Sequence, residues 1–172
     1  MRKPTIVVVG ATGTVGQVFL RIMAERNFPV DSLRLCASPR SIGTRIEVNG
    51  MEHEVQETKP EIFEGADFAF ISASGAVSRE LVPIAAQAGA MVIDDSSAFR
   101  LEPHLPLVVP EVNGSAVESH RGIIATPNCT TVPLVMALHA LRQVKPLTRV
   151  IVSTYQAVSG AGAAAVEELK NQ

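Results

Sequence analysis

The hydrophobic pattern along this 172-residue chain changes period several times, and each change marks an element. Thr5–Gly10, TIVVVG, is a β-branched run that stops at glycine, the mark of a buried strand. In the stretch that follows, Val15, Phe19, Ile22 and Met23 recur near helical spacing, and Leu33–Ser38, LRLCAS, returns to strand character. Strand, helix and strand within about 35 residues predict a βαβ unit. Asn49-Gly50 then stands between two segments of roughly alternating polarity, which predicts a type I′ hairpin. Asp67–Ser74 predicts another buried strand, Ala76–Ala88 a helix and Met91–Ser96 a strand, with Leu105–Pro110 and Arg121–Pro127 as shorter candidates. A helix is predicted from Cys129 to Val144, a long strand from Leu147 to Val158 and a new helix from Ala163.

Composition narrows the fold. Hydrophobic residues make up 47% of the chain but aromatics only 4%, so the core must be built of Val, Ile, Leu and Ala. That balance suits a mostly parallel sheet with helices on both faces, an α/β fold. The pattern divides into a dinucleotide-binding domain over residues 1–127 and the start of a second domain over 128–172, and the chain reads as a fragment of a longer subunit. A formal charge of −2 and the lack of any basic run give no reason to expect nucleic acid. No apolar segment reaches the roughly 18 residues of a membrane span. The first apolar run is too short for a signal peptide, and two cysteines, Cys36 and Cys129, make no disulfide framework. A cytoplasmic location is the expectation.

Between the first strand and the first helix stands GATGTVG, with Gly10, Gly13 and Gly16. Glycines there permit a tight turn, close approach of a pyrophosphate and close helix–strand packing, and the N–H groups opening the helix favour phosphates. The spacing is a variant of the usual dinucleotide fingerprint, so a ligand-free glycine-rich connection is the competing reading. An NAD site usually places an acid at the end of the second strand to accept from the ribose 2′-hydroxyl. Here CASPRSIG offers Ser38, Arg40 and Ser41 and no acid, which suits the 2′-phosphate of NADP, unless Arg40 is only a solvated loop charge. No metal site is expected.

Cys129 is the other candidate for chemistry. Three roles are open to it: small buried filler, redox thiol or nucleophile. The helix predicted to start there would offer unsatisfied N–H groups that stabilise a thiolate, and Pro133 fits a first turn. The flanking Asn128, Thr130 and Thr131 argue against a purely apolar setting, whereas Cys36 lies inside a strand as core filler.

GATGTVG, DDSSAFR, LVVPEVN, TPNCTT and STYQAVSGAG stand in the order and spacing found in aspartate-semialdehyde dehydrogenases, and the chain resembles that family along essentially its whole length. The resemblance implies a Rossmann-like domain followed by the start of an α+β catalytic and dimerisation domain, and a homodimer in the full-length protein. It implies reductive dephosphorylation of L-aspartyl-4-phosphate to aspartate semialdehyde with NADPH, on the route to lysine, diaminopimelate, methionine and threonine. Cys129 would displace phosphate to form a thioacyl enzyme. By position Arg100 and Asn128 match phosphate-binding residues and Gln156 a glutamine that orients the substrate. Thr12, Gly13, Thr14 and Val15, Arg40 and Ser41, and Ser159 with Gly160 match cofactor contacts, and Ser72 and Gly75 lie at the mouth of another strand. Asp94 and Asp95 resemble a catalytic pair but read as a strand-end turn. Two other readings stand beside this one: an enzyme similar to N-acetyl-glutamyl-phosphate reductase, and a non-catalytic NADP-binding fragment.

The family's acid–base histidine, with a glutamate and an arginine that grip the substrate, lies in a later part of the subunit. His53, His104, His120 and His139 do not stand at that motif and are assigned no role. The 172-residue chain by itself is therefore expected to be inactive or nearly so, since proton transfer contributes on the order of 10²–10⁴ in rate. Incubating it with phosphate, NADP and aspartate semialdehyde, and following NADPH absorbance, checks this; rapid turnover would contradict it.

Overall fold

The run that opens the chain forms β1 (Thr5–Val9), and Gly10, at φ +84°, turns it toward α1 (Thr14–Glu25). β2 (Ser32–Ala37) completes the first unit. A hairpin of β3 (Arg45–Val48) and β4 (Met51–Glu57) follows. Its turn residues Asn49 and Gly50 have φ of 52° and 75°, the left-handed pair that a type I′ turn requires. β5 (Phe68–Ile71), α2 (Gly75–Gln87) and β6 (Met91–Asp94) repeat the strand–helix–strand pattern. After them come a short α3 (Pro110–Asn113), β7 (Ile123–Ala125), α4 (Thr131–Val144) and α5 (Ala163–Asn171). The computed structural model describes residues 2–172.

The strands form one seven-stranded sheet in the order β3-β4-β2-β1-β5-β6-β7. Among the described residues only the β3–β4 pair is antiparallel. The hairpin does not stand apart, because β4 also runs parallel to β2 with Leu35 opposite Val55. Alternation along the strands splits the core in two. Ile6, Val8, Leu35 and Val55 pack under Leu20 and Met23 of α1 on one face. On the other, Val7, Val9, Ala69, Ile71 and Val92 pack under Leu81, Val82 and Ala85 of α2. Phe63, from a 3₁₀ turn at Pro60–Phe63, is fully buried in this second layer. Phe19 of α1 stacks on Phe70 of β5 with ring centroids 4.2 Å apart. Phe63 and the Phe19–Phe70 pair thus anchor a core that is otherwise aliphatic. No helix is long and apolar enough to cross a membrane among the described residues.

Three sequence expectations need correction. Leu147–Val158 is not a strand: residues 147–157 form neither strand nor helix, and Val158 opens a 3₁₀ turn through Ala161. A strand exists only through its ladder, and no described strand pairs with this run. Its side chains are accordingly exposed, Ile151 by 78% and Tyr155 by 97%. Leu105–Pro110 contributes a single bridge, Leu107 to Ala125, since prolines at 106 and 110 remove ladder donors on either side. The helix predicted from Cys129 starts two residues later, at Thr131.

Phe63 offers a test of the second core layer. Phe63→Ala is expected to cost about 3–5 kcal/mol, read as a lowered urea midpoint without a change in slope.

Candidate functional site

The carboxyl ends of β1, β2 and β5 meet in a crevice of about 510 Å³, lined by Gly10, Thr12, Gly13, Ser38 and Ser72. Topology explains its place. The chain builds outward from β1 through β2 to the hairpin, then returns to β5 on the other side, and open α/β sheets bind ligands at such a reversal. The volume lies within the roughly 300–1,000 Å³ of small-molecule sites. Backbone packing fixes the glycine turn. Gly10 N and Ala11 N donate to the Cys36 carbonyl at 2.8 and 3.0 Å, and Gly13 N donates to Gly10 O at 3.0 Å. A Cβ on Gly10 would collide with the Ser72 carbonyl oxygen, and one on Gly16 with the Gly10 carbonyl oxygen. Thr14 and Val15 open α1, both exposed. Thr12 Oγ1 donates to Ser41 Oγ at 3.2 Å, joining the turn to the 3₁₀ segment Pro39–Ser41 that carries Arg40. Arg40 is exposed and forms no ion pair among the described residues. Gly75 begins α2, which Ser74 caps by accepting from Val77 N at 3.4 Å.

Sequence reasoning missed part of this crevice. Glu57 and Thr58 enter from the end of β4, and Val77, Glu80 and Leu81 from α2. Local pattern could not reveal that β4 lies beside β2.

A second set of residues ties the ends of β5, β6 and β7 together. The Asp95 carboxylate accepts from Ser72 Oγ at 3.2 Å and from Thr126 Oγ1 at 3.0 Å. Arg100 donates from Nε to the Thr126 carbonyl at 2.8 Å and from Nη2 to the Asp95 carbonyl at 2.9 Å. The guanidinium is therefore held by backbone and not by a surface carboxylate. Asp94 is fully buried; its Oδ2 accepts from Ser96 Oγ at 2.8 Å, and its Oδ1 has no partner. The two aspartates act at a strand end, as the sequence suggested, but Asp95 is a bridge and no mere turn residue.

Thr126 leads through Pro127 to Asn128 and Cys129. Asn128 orders the turn before α4: its Oδ1 accepts from Thr130 N at 3.0 Å and Thr130 Oγ1 at 2.7 Å, and its carbonyl accepts from Thr131 N at 2.8 Å. Pro133, third in α4, sits where a missing N–H costs little. Cys129 is exposed in the turn just before the helix, its sulfur 3.9 Å from Asn128 Oδ1. Filler is excluded for it. Cys36 is fully buried, and burial pushes its thiol up to about 11.

The structure does not bring Gln156, Ser159 and Gly160 to these groups. Gln156 is exposed and folds onto Gly160, where a Cβ would overlap its side-chain amide. No hydrogen bond among the described residues joins the three to Cys129 or the crevice. The histidines likewise stand off. His120 Nδ1 accepts from Gly122 N at 3.0 Å, and His139 lies 3.4 Å from Gln143. No metal-binding group of three acidic, histidine or cysteine side chains occurs among the described residues.

The two thiols should therefore separate by reactivity. Iodoacetamide at about pH 8 is expected to modify Cys129 alone in the native chain and both cysteines in urea, as read by peptide mass spectrometry. The raised Cys36 value also has a stability consequence. Above the unfolded thiol value near 9, only the unfolded chain loses this proton, so its contribution declines from there toward about 11.

Comparison with known proteins sets these groups in a family. The sequence model described as "Semialdehyde dehydrogenase, NAD binding domain" matches residues 5–120, and "Semialdehyde dehydrogenase, dimerisation domain" matches residues 138–172. Aspartate-semialdehyde dehydrogenase of Bacillus subtilis is 53% identical over 97% of this chain and 48% of its own length. The enzyme of that name from Aquifex aeolicus is 51% identical over 97% of this chain and 50% of its own. Among solved structures, aspartate semialdehyde dehydrogenase II of Vibrio cholerae, complexed with ASA, superposes with a TM-score of 0.94 at 42% identity, over 100% of this chain and 52% of that one. A probable aspartate-semialdehyde dehydrogenase from Pseudomonas aeruginosa gives a TM-score of 0.81 at 29% identity, over 99% of this chain and 52% of that one. The chain spans about half the length of the curated relatives it matches. On this evidence it belongs to the semialdehyde dehydrogenase family, as a homologue of aspartate-semialdehyde dehydrogenase.

Proposed function

We propose that this chain carries the nucleotide-binding and nucleophilic half of an NADP-dependent aspartate-semialdehyde dehydrogenase. Residues 1–127 hold the nucleotide, and residues 128–172 begin the catalytic and dimerisation domain. The substrate is L-aspartyl-4-phosphate, reduced to L-aspartate 4-semialdehyde on the way to lysine, methionine and threonine.

One observation carries the reading. Ser72, in the nucleotide crevice, bonds to Asp95, and Asp95 bonds to Thr126, three residues before an exposed cysteine at a helix start. An unbroken run of contacts thus links the place for a dinucleotide to the place for a nucleophile. The crevice suits NADP: the glycine turn leaves room for a pyrophosphate, and Ser38, Arg40 and Ser41 offer hydroxyls and a cation to a 2′-phosphate.

In the reductive direction the Cys129 thiolate attacks the acyl carbon. A carbon–sulfur bond forms, the carbon–oxygen bond to phosphate breaks, and phosphate leaves with that electron pair. When bound, reduced nicotinamide supplies a hydride to the resulting thioester carbon. The carbon–sulfur bond then breaks to free the aldehyde and return the sulfur. The helix N-terminus favours the anion that forms on Cys129 in the first and last steps. Arg100 keeps Nη1 for the departing phosphate while its other two nitrogens stay on carbonyls, and Asn128 has its amide N–H groups to spare because its oxygen is engaged by Thr130. Gln156 orients the substrate, and Ser159 and Gly160 contribute cofactor contacts.

The chain spans about half of its relatives, so the test joins it to the remaining half of the Bacillus subtilis enzyme. This chimera should reduce NADP in the presence of phosphate and aspartate semialdehyde and ignore N-acetyl-glutamate semialdehyde. Cys129→Ser is expected to remove the activity by on the order of 10³-fold or more. A Cys129→Ser chimera that keeps its rate would end the proposal.

A further inference from the structure

Two carboxylates line the nucleotide crevice, Glu57 at the end of β4 and Glu80 in α2. Neither lies in β2, where an acid would distinguish NAD from NADP in a simpler fold. Glu57 matters because of register: it stands opposite Ala37, the residue before Ser38. An unmatched carboxylate in the crevice beside Ser38 would repel a 2′-phosphate and accept from a ribose 2′-hydroxyl instead. Glu57 is not unmatched. Lys59 Nζ lies 2.8 Å from its Oε2, and that contact holds Lys59 more firmly protonated than usual. Glu80 has no ion-pair partner among the described residues and comes from α2, which follows β5 and not β4.

We infer that Lys59 determines nucleotide specificity indirectly: by neutralising Glu57 it lets a carboxylate-lined crevice admit the 2′-phosphate of NADP. This rests on the cofactor reading above. Lys59 is not among the residues lining the crevice. Its effect passes through Glu57, so it is a positioning residue for charge and makes no phosphate contact. Both side chains are more than half exposed, 64% and 53%, so the effect is modest and weakens with salt.

The test is calorimetric titration of the full chain with NADP⁺ and with NAD⁺ at low ionic strength. Lys59→Gln is expected to weaken NADP⁺ binding about two- to fivefold while NAD⁺ stays within about twofold. Glu57→Gln in the Lys59→Gln background should bring NADP⁺ back to within about twofold of the unaltered chain, and about 0.5 M salt should flatten the differences. Equal weakening of both nucleotides, or a double variant as weak for NADP⁺ as Lys59→Gln, would overturn the inference alone. If the unaltered chain binds neither nucleotide, the cofactor reading itself fails and takes this one with it.

Discussion

A parallel sheet covered on both faces delivers all its carboxyl ends to one edge, and polar groups there must find partners or pay for desolvation. In this chain Asp95 meets that demand. Its two carboxylate oxygens accept hydrogen bonds from the hydroxyls of the strand ends on either side, Ser72 and Thr126, while its carbonyl accepts from the Arg100 guanidinium. Three loops that are far apart in sequence are thereby held in one arrangement. The nucleotide crevice, the guanidinium and the cysteine turn all hang from this junction, so the geometry proposed for catalysis inherits its rigidity from the sheet.

The glycine turn shows how packing and ligand binding demand the same residues. Gly10 lies against the Ser72 carbonyl and Gly16 against the Gly10 carbonyl, and both contacts leave no space for a methyl group. The two glycines are needed before any phosphate arrives. A glycine pattern is thus weak evidence for a nucleotide when it stands alone. Here it gains weight from the reversal of strand order beside it and from the Thr12–Ser41 hydrogen bond that carries the turn across to Arg40.

Much of this architecture was legible in the sequence, for reasons that differ by element. β1 and the helices α1, α2, α4 and α5 are announced by local periodicity, and the hairpin by one Asn-Gly pair whose left-handed backbone leaves few alternatives, whereas the short α3 went unread. Cys129 was legible because asparagine, threonine and proline around it belong to helix starts. What stayed hidden depends on contacts across the chain. Glu57 became a crevice residue only when β4 paired with β2, and Asp95 became a bridge only when β5 and β7 flanked it. The Leu147–Val158 run was misread for a related reason, since β propensity cannot stand in for a partner strand. Gln156, inside that run, inherits the same gap.

Asn128 has a consequence that reaches past the start of α4. Its oxygen is committed to Thr130, a task that an aspartate oxygen would perform equally well in this turn. Folding alone would favour the aspartate, whose charge would sit by the N-terminal end of α4. An aspartate, however, would set a permanent anion 3.9 Å from a sulfur that the proposed reaction turns into an anion. The neutral amide at this position therefore marks a compromise in which the turn is anchored without raising the electrostatic barrier to the reaction proposed for Cys129.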